Sequence, residues 1–176
     1  MHRVLIVTNK ILDIWTGRPY SKVMTIRPFD EQRDRDAFKS LNEEWISRFF
    51  AMEEQDRLVL GDPKTHIMDH GGRILMAYDG EQAIGCCALI PCHVHEGVLE
   101  LAKLAVAPDL RGQGLGRKIV EATLDEARAM GAKSVRLETS SKLANAVRLY
   151  ESVGFRHVPP EPSPFTRANV FMELPL

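Results

Sequence analysis

Between Val98 and Met130 the chain carries VLELAKLAVAPDLRGQGLGRKIVEATLDEARAM, a strand-like apolar run, a glycine-rich turn and a helical pattern in direct succession. A turn of this kind at a helix start gathers unpaired backbone N–H groups and the positive end of the helix dipole, which suits a phosphate-bearing ligand. Two common nucleotide motifs fail on spacing. A dinucleotide fingerprint GxGxxG begun at Gly112, and equally a Walker loop, would need glycine at position 117, where the chain has Arg117. The residues present fit RxxGxG, from Arg111 through Gly114 to Gly116, with Gly112, Gln113, Leu115 and Arg117 completing the turn. Upstream, Glu100 interrupts an apolar strand, which is costly unless the carboxylate is hydrogen-bonded or functional. The cluster CCALIPCHVH offers Cys86, Cys87, Cys92, His93 and His95 as metal ligands. Adjacent strand residues point to opposite faces, so Cys86 and Cys87 do not share an ion, and no metal is expected.

These groups must be positioned by a fold, and composition bounds it. At 176 residues, 44% hydrophobic and 27% charged, the chain has the makeup of one globular domain. A net charge of −1 gives no broad basic footprint, so nucleic acid is not an expected partner. The charge is unevenly spread: nine acids face four bases from Asp30 to Asp56, and nine bases face five acids from Arg111 to Arg156. Such a division favours a cationic substrate on the first half and an anionic cofactor on the second. Three cysteines form no even framework, which points to a reducing cytoplasm. The apolar run Val4 to Val7 is too short for a signal core or a membrane span.

Residues 1–23 read as an N-terminal extension, and residues 24–176 as the domain. Asp30 is an N-cap candidate, followed by Phe38, Leu41, Trp45 and Phe49 at helical spacing. Trp45 and Phe49, late in that helix, are candidate pocket residues. A short helix is expected from Glu53 to Leu60. Asp79–Gly80 marks a hairpin, and a third strand over Val98–Val106 extends it into an antiparallel meander. Helices over Gly114–Met130 and Leu143–Val153 then alternate with short strands, an order that implies central strands parallel in part. The predicted fold is α/β (α+β), with a mixed, mostly antiparallel central sheet and flanking helices. Arg167 and Asn169 in the late proline-rich loop, with His66 and His70, are further loop residues within reach of a site.

RxxGxG between a strand and a helix resembles the pyrophosphate-binding motif of the GCN5-related N-acetyltransferase (GNAT) family. The run LYESVGF, Leu149 to Phe155, is similar to that family's second signature, a tyrosine four residues before a glycine. The resemblance covers most of the chain from Met24 onward. It implies that the amides of the 111–117 turn cradle the pyrophosphate of coenzyme A, and that the backbone of Leu104, Ala105 and Val106 bonds the pantetheine. The family's asparagine, seven residues before the tyrosine, is replaced by Leu143, and Asn145 is carried as a cofactor contact instead.

The resemblance further implies acetyl transfer from acetyl-CoA to a primary amine, by direct attack in a ternary complex; the acidic first half fits a cationic acceptor, and a small molecule is expected. Tyr150 is the expected acid: a phenol near pKa 10 can donate to a departing thiolate. A backbone N–H near Ala105 or Val106 is expected to steady the oxyanion. Glu100 and Glu138 compete for the base: Glu100 is the expected one, with Glu138 holding the amine or sharing the work. The alternatives are a protein N-terminus or lysine as acceptor, or a CoA-binding regulatory module without catalysis. A homodimer is compatible with the sequence.

Overall fold

A computed structural model describes residues 5–7 and 24–176. The expectation for residues 1–23 lies outside the described residues except at Leu5–Val7, strand β1, whose backbone pairs antiparallel with strand β2, Met24–Pro28. Helix α1 spans Glu31–Phe49, α2 Glu54–Gly61, and a wide helical turn Lys64–Met68. The meander follows as β3 (Arg73–Asp79), β4 (Gln82–Pro91) and β5 (Val98–Val106). A single helical turn, Pro108–Leu110, leads to α3 (Leu115–Ala129), β6 (Ser134–Thr139), α4 (Ala144–Val153), β7 (Arg156–His157) and β8 (Val170–Pro175).

Local chemistry accounts for the boundaries. Asp30 caps α1, its carboxylate accepting from the amides of Gln32 and Arg33 at 3.1 Å each. Gly80 turns the β3–β4 hairpin with a φ of +58°, and Gly154 ends α4 at +119°. Phe38 and Ile46 of α1 are wholly buried, whereas Phe49, at the end of the same stripe, is 46% exposed. The first-turn Asp34 is not a solvated dipole partner: it is buried and takes Arg27 at 2.7 Å on each oxygen and the Tyr78 hydroxyl at 2.6 Å. Burial opposes its ionisation, but those hydrogen bonds prevail and hold its carboxyl below the ordinary value.

The strands form one sheet in the order β1-β2-β3-β4-β5-β6-β8-β7. Helices cover both faces. One core packs beneath α3 and α4 around Cys87, Ile119, Val120 and Phe155; the other packs beneath α1 and α2 around Phe38, Ile46 and Cys86. The two adjacent cysteines thus enter opposite cores. Among the described residues, the expectation of partly parallel central strands narrows to a single pair, β5 with β6. Every other pairing described is antiparallel, β8 inserting between β6 and β7.

That parallel pair is also short. Its register runs only through Val98↔Ser134, Leu99↔Val135 and Glu100↔Arg136. Beyond Glu100 the strands part: β5 continues against β4, and β6 continues against β8 as far as Thr139↔Val170. The sheet therefore opens into a V between Leu101–Val106 on one side and Leu137–Thr139 on the other. Within β5 the register to β4 slips, since Cys86↔Ala105 and Ala88↔Ala102 are two residues apart on β4 and three on β5. The extra residue is a bulge, and Lys103 beside it holds a φ of +54°, a left-handed conformation unusual for lysine.

Candidate active site

The V opens into a cleft of about 830 Å³ running between α1, β5, the glycine turn, α4 and the end of β6. Its anion end is set by backbone conformation. Gly112 and Gly114 have φ of +76° and +81°, and a Cβ on either would touch nothing within 4 Å, so glycine serves the turn rather than a close contact. Gly116 differs: a Cβ there would lie 3.3 Å from Leu149 Cδ2, where α3 meets α4. Gly114 is the N-cap of the 15-residue α3, which aims the helix's first amides at the cleft.

Most expected cofactor residues stand on this wall: Leu104, Ala105, Val106, Arg111, Gly112, Gly114, Gly116, Arg117 and Asn145. Two of the turn's side chains are absent from it. Leu115 is buried in the α3-side core, and Gln113 donates to the Asp109 carbonyl at 3.0 Å, so these positions face the cleft with backbone at most.

Ala105 departs from the expectation in a second way. A Cβ built on Gly85 would lie 2.9 Å from Ala105 O, and Ala107 N donates to Ile84 O at 2.9 Å, so alternate residues of β5 address β4. Leu104 and Val106 are left with backbone groups on the open side, and Ala105 is not.

Arg111 acts as a brace. Its Nε donates to Val106 O at 2.9 Å, and its guanidinium pairs with Glu44 of α1, which ties the turn to β5 and to α1. Arg117 holds α4 through Ser152 Oγ at 2.6 Å, and Asn145, exposed at the start of α4, accepts from Arg148.

At the other end, Tyr150 is buried with its ring edge-on to Phe155 at 5.8 Å between centroids, and it lines the large cleft. Burial, with Cys87 adding, pushes its phenol above the ordinary value, so it stays a proton donor through the physiological range. Glu100 does not line the large cleft. It faces a smaller adjoining cavity of about 80 Å³, walled also by Trp45, Phe50, Lys103, Phe165 and Arg167. Glu138 borders both spaces, as do Trp45 and Lys103, whereas Phe49 lines only the larger. Burial, reinforced by the Glu138 charge, pushes the Glu100 carboxyl up to about 7. Burial raises Glu138 as well.

The residues least visible in sequence form a chain of ion pairs behind the small cavity. Lys103 Nζ meets Asp56 Oδ1 at 2.9 Å, and Arg167 grips both oxygens of Asp56 at 2.6 and 2.8 Å. Glu53 takes Arg167 at 2.9 Å and the Thr166 amide at 2.8 Å. Lys103 and Arg167 both stack on the Phe165 ring, 4.7 and 4.4 Å from its centroid. Asp56 is fully buried; burial opposes its charge, and Arg167 and Lys103 restore it to below the ordinary carboxylate value. Nothing local in the sequence linked α2, β5 and the final loop. Asn169 lies apart, bonded to Ser141 at 2.8 and 3.0 Å, and the rings of His70 and His93 stand edge-on at 6.1 Å.

A sheet split between two strands, a helix N-terminus behind left-handed glycines and a buried tyrosine across the gap define the acyl-CoA N-acyltransferase class of fold. Comparison with known proteins gives the family. Residues 30–155 match the model of the acetyltransferase (GNAT) family, so the chain belongs to that family of N-acetyltransferases, whose co-substrate is acetyl-CoA. It is 36% identical over 85 residues to the uncharacterized N-acetyltransferase YjgM of Escherichia coli, a match covering 48% of this chain and 50% of that one. The N-acetyltransferase C1271.07c of Schizosaccharomyces pombe, also uncharacterized, is 30% identical over 131 residues, 73% of this chain and 80% of that one. Among solved structures, yncA of Salmonella typhimurium with its cofactor acetyl-CoA superimposes with a TM-score of 0.66, covering 86% of this chain and 93% of that one at 23% identity, a likeness of fold. Among the described residues, no helix is long and apolar enough to cross a membrane.

Proposed function

We propose that the chain transfers an acetyl group from acetyl-CoA to the primary amine of a small molecule, by direct attack within a ternary complex. The observation that carries this reading is the parting of β5 and β6 after Glu100, with Tyr150 lining the larger cleft, Glu100 the smaller cavity and Glu138 bordering both. Acetyl-CoA fits the larger cleft on the chemistry of its wall: left-handed Gly112 and Gly114 turn successive amides toward an anion at the α3 start, and β5 has an unpaired edge at Leu104 and Val106. Bound there, it supplies an activated acyl group and a thiolate leaving group, so the protein has only to orient, steady charge and move protons.

Each of these tasks has a residue. Glu100, titrating near 7, accepts the proton that a substrate ammonium must lose, directly or through water, and Glu138 holds the cation at the mouth of the same cavity. The Val106 N–H on the open edge of β5 is the donor we assign to the developing oxyanion. Tyr150, kept neutral by burial, gives its proton to the departing sulfur. The decisive experiment is a panel of amines incubated with acetyl-CoA while released thiol is recorded. Turnover of free amines but not of peptides supports the small-molecule reading; turnover of peptides alone moves the acceptor to protein.

A further inference from the structure

We propose that the small cavity beside the cleft admits a primary ammonium carried on an unbranched methylene and rejects an amine whose own carbon bears a carboxylate. The Glu53–Arg167–Asp56–Lys103 chain sets that choice. This inference rests on the acetyltransferase reading and adds the acceptor class to it.

Size gives the first argument. A cavity of about 80 Å³ holds on the order of five heavy atoms, room for an aminomethyl end with a few carbons behind it, whereas an amine with a carboxylate on its own carbon fills it before any chain is added.

Charge gives the second, independently. Two cations reach the cavity, Lys103 and Arg167, and either could have bound a substrate carboxylate. Both are already held: Lys103 by Asp56 at 2.9 Å, and Arg167 by Asp56 at 2.6 and 2.8 Å and by Glu53 at 2.9 Å. The Phe165 ring lies against both. The charges left facing the cavity are carboxylates. Among the described residues, Glu100 makes no hydrogen bond or ion pair, and Glu138 is hydrogen-bonded only to the Ser163 hydroxyl, with the charges of Arg167 and Lys103 acting on it from farther off. Trp45 and Phe50 supply apolar walls on which a methylene chain packs and an ammonium is attracted by the ring faces. Arg48 and Lys142 line the larger cleft and not this cavity, although Lys142 Nζ stands 5.8 Å from the centroid of the Phe50 ring. An ammonium therefore meets two carboxylates that no cation holds in an ion pair, and a carboxylate on the same carbon meets those charges while both cations of the cavity wall are already paired.

The test compares kcat/KM for butylamine, norleucinamide and norleucine with acetyl-CoA saturating. Butylamine is expected to exceed norleucine by at least 100-fold, with norleucinamide between them, because it shares norleucine's branching without its charge. Glu53→Gln partly releases Arg167 and should narrow the butylamine-to-norleucine ratio about tenfold while the Kd of acetyl-CoA stays within twofold. Equal use of butylamine and norleucine, or a ratio unmoved by Glu53→Gln, overturns the proposal. If no free amine is turned over, the small-molecule reading fails by itself, and the cavity is then judged by binding. Butylamine should still raise the Tm of the CoA-bound protein and norleucine should not; equal shifts overturn the inference.

Discussion

Lys103 of β5 and Asp56 of α2 meet at 2.9 Å with both side chains almost fully buried, 6% and 0% exposed. The lysine reaches this partner because the β5 bulge gives its backbone a φ of +54°, so that Lys103 and its neighbour Ala102 serve the same side of the sheet. A regular strand would have sent Lys103 to the α3-side core. The bulge that turns Lys103 toward α2 also resets the alternation of β5, which puts Leu104 and Val106 on the open edge of the cleft. Non-glycine residues in this conformation cost of order 1–3 kcal/mol and persist where their surroundings over-determine them. Here the surroundings are Asp56, Arg167 and Phe165.

Breaking the pair from one side should be costly. Asp56→Ala leaves Lys103 as a buried cation without its partner and Arg167 with Glu53 alone, and a loss of about 3–5 kcal/mol is expected from urea unfolding. Lys103→Met leaves Asp56 with Arg167 on both oxygens and replaces the buried ammonium by an apolar chain of similar length, so it should cost less than half as much. Equal losses from the two variants would mean that the ion pair itself is not what holds α2 to β5.

Tyr150→Phe tests the proton donor. The phenylalanine keeps the buried ring and its edge contact with Phe155, so stability and the Kd of acetyl-CoA should hold within twofold. Removing a general acid should lower kcat by roughly 100-fold or more. Steady-state kinetics beside a CoA titration separate the two effects, and an unchanged kcat removes Tyr150 from that role.

The sequence made plain those features that depend on neighbours in the chain. The Asp30 cap, the Asp79–Gly80 hairpin, the 112–116 turn and the tyrosine before Gly154 are each a matter of residue type within about seven positions. The acceptor end was different. Glu100 stood out because a carboxylate in an apolar strand is conspicuous, but its separation from the large cleft depends on where β5 and β6 part. Lys103, in the same strand, falls in phase with the core residues Leu99 and Leu101 in an ordinary alternation, and no residue signals its left-handed backbone. Asp56 reads as a first-turn carboxylate of a short helix. Its real partners lie 47 and 111 residues away. The insertion of β8 between β6 and β7 is likewise a tertiary outcome: a six-residue strand with partly buried faces fits an edge or an interior position equally well.

The glycine turn separates backbone strain from ligand binding. Because a Cβ at Gly114 would touch nothing within 4 Å, Gly114→Ala costs only its backbone conformation, about 1–2 kcal/mol at a φ of +81°. The Kd for CoA should rise at least tenfold as the amides at the α3 start lose their orientation. In the unmodified protein, CoA at 100 times its Kd should add about 2.7 kcal/mol of stability. A Tm that saturating acetyl-CoA leaves unmoved would detach the turn from the cofactor.

Glu100 predicts two pH profiles of opposite sign. As a base it works ionised, so with its carboxyl raised to about 7, kcat/KM should climb about tenfold between pH 6 and pH 8 and then level. Glu100→Gln should abolish that limb. Stability runs the other way. Between the ordinary value of 4.5 and about 7 the folded protein retains a proton that the unfolded chain has released. The contribution of this group is therefore full below pH 4.5 and declines as the pH rises through 7. Glu100→Gln has no proton to lose, so its stability relative to the unmodified protein should improve from pH 5 to about pH 7 and level toward pH 8 in urea titrations. A variant that gains nothing over that range would show that Glu100 ionises at its ordinary pKa, and the base would then have to be sought at Glu138.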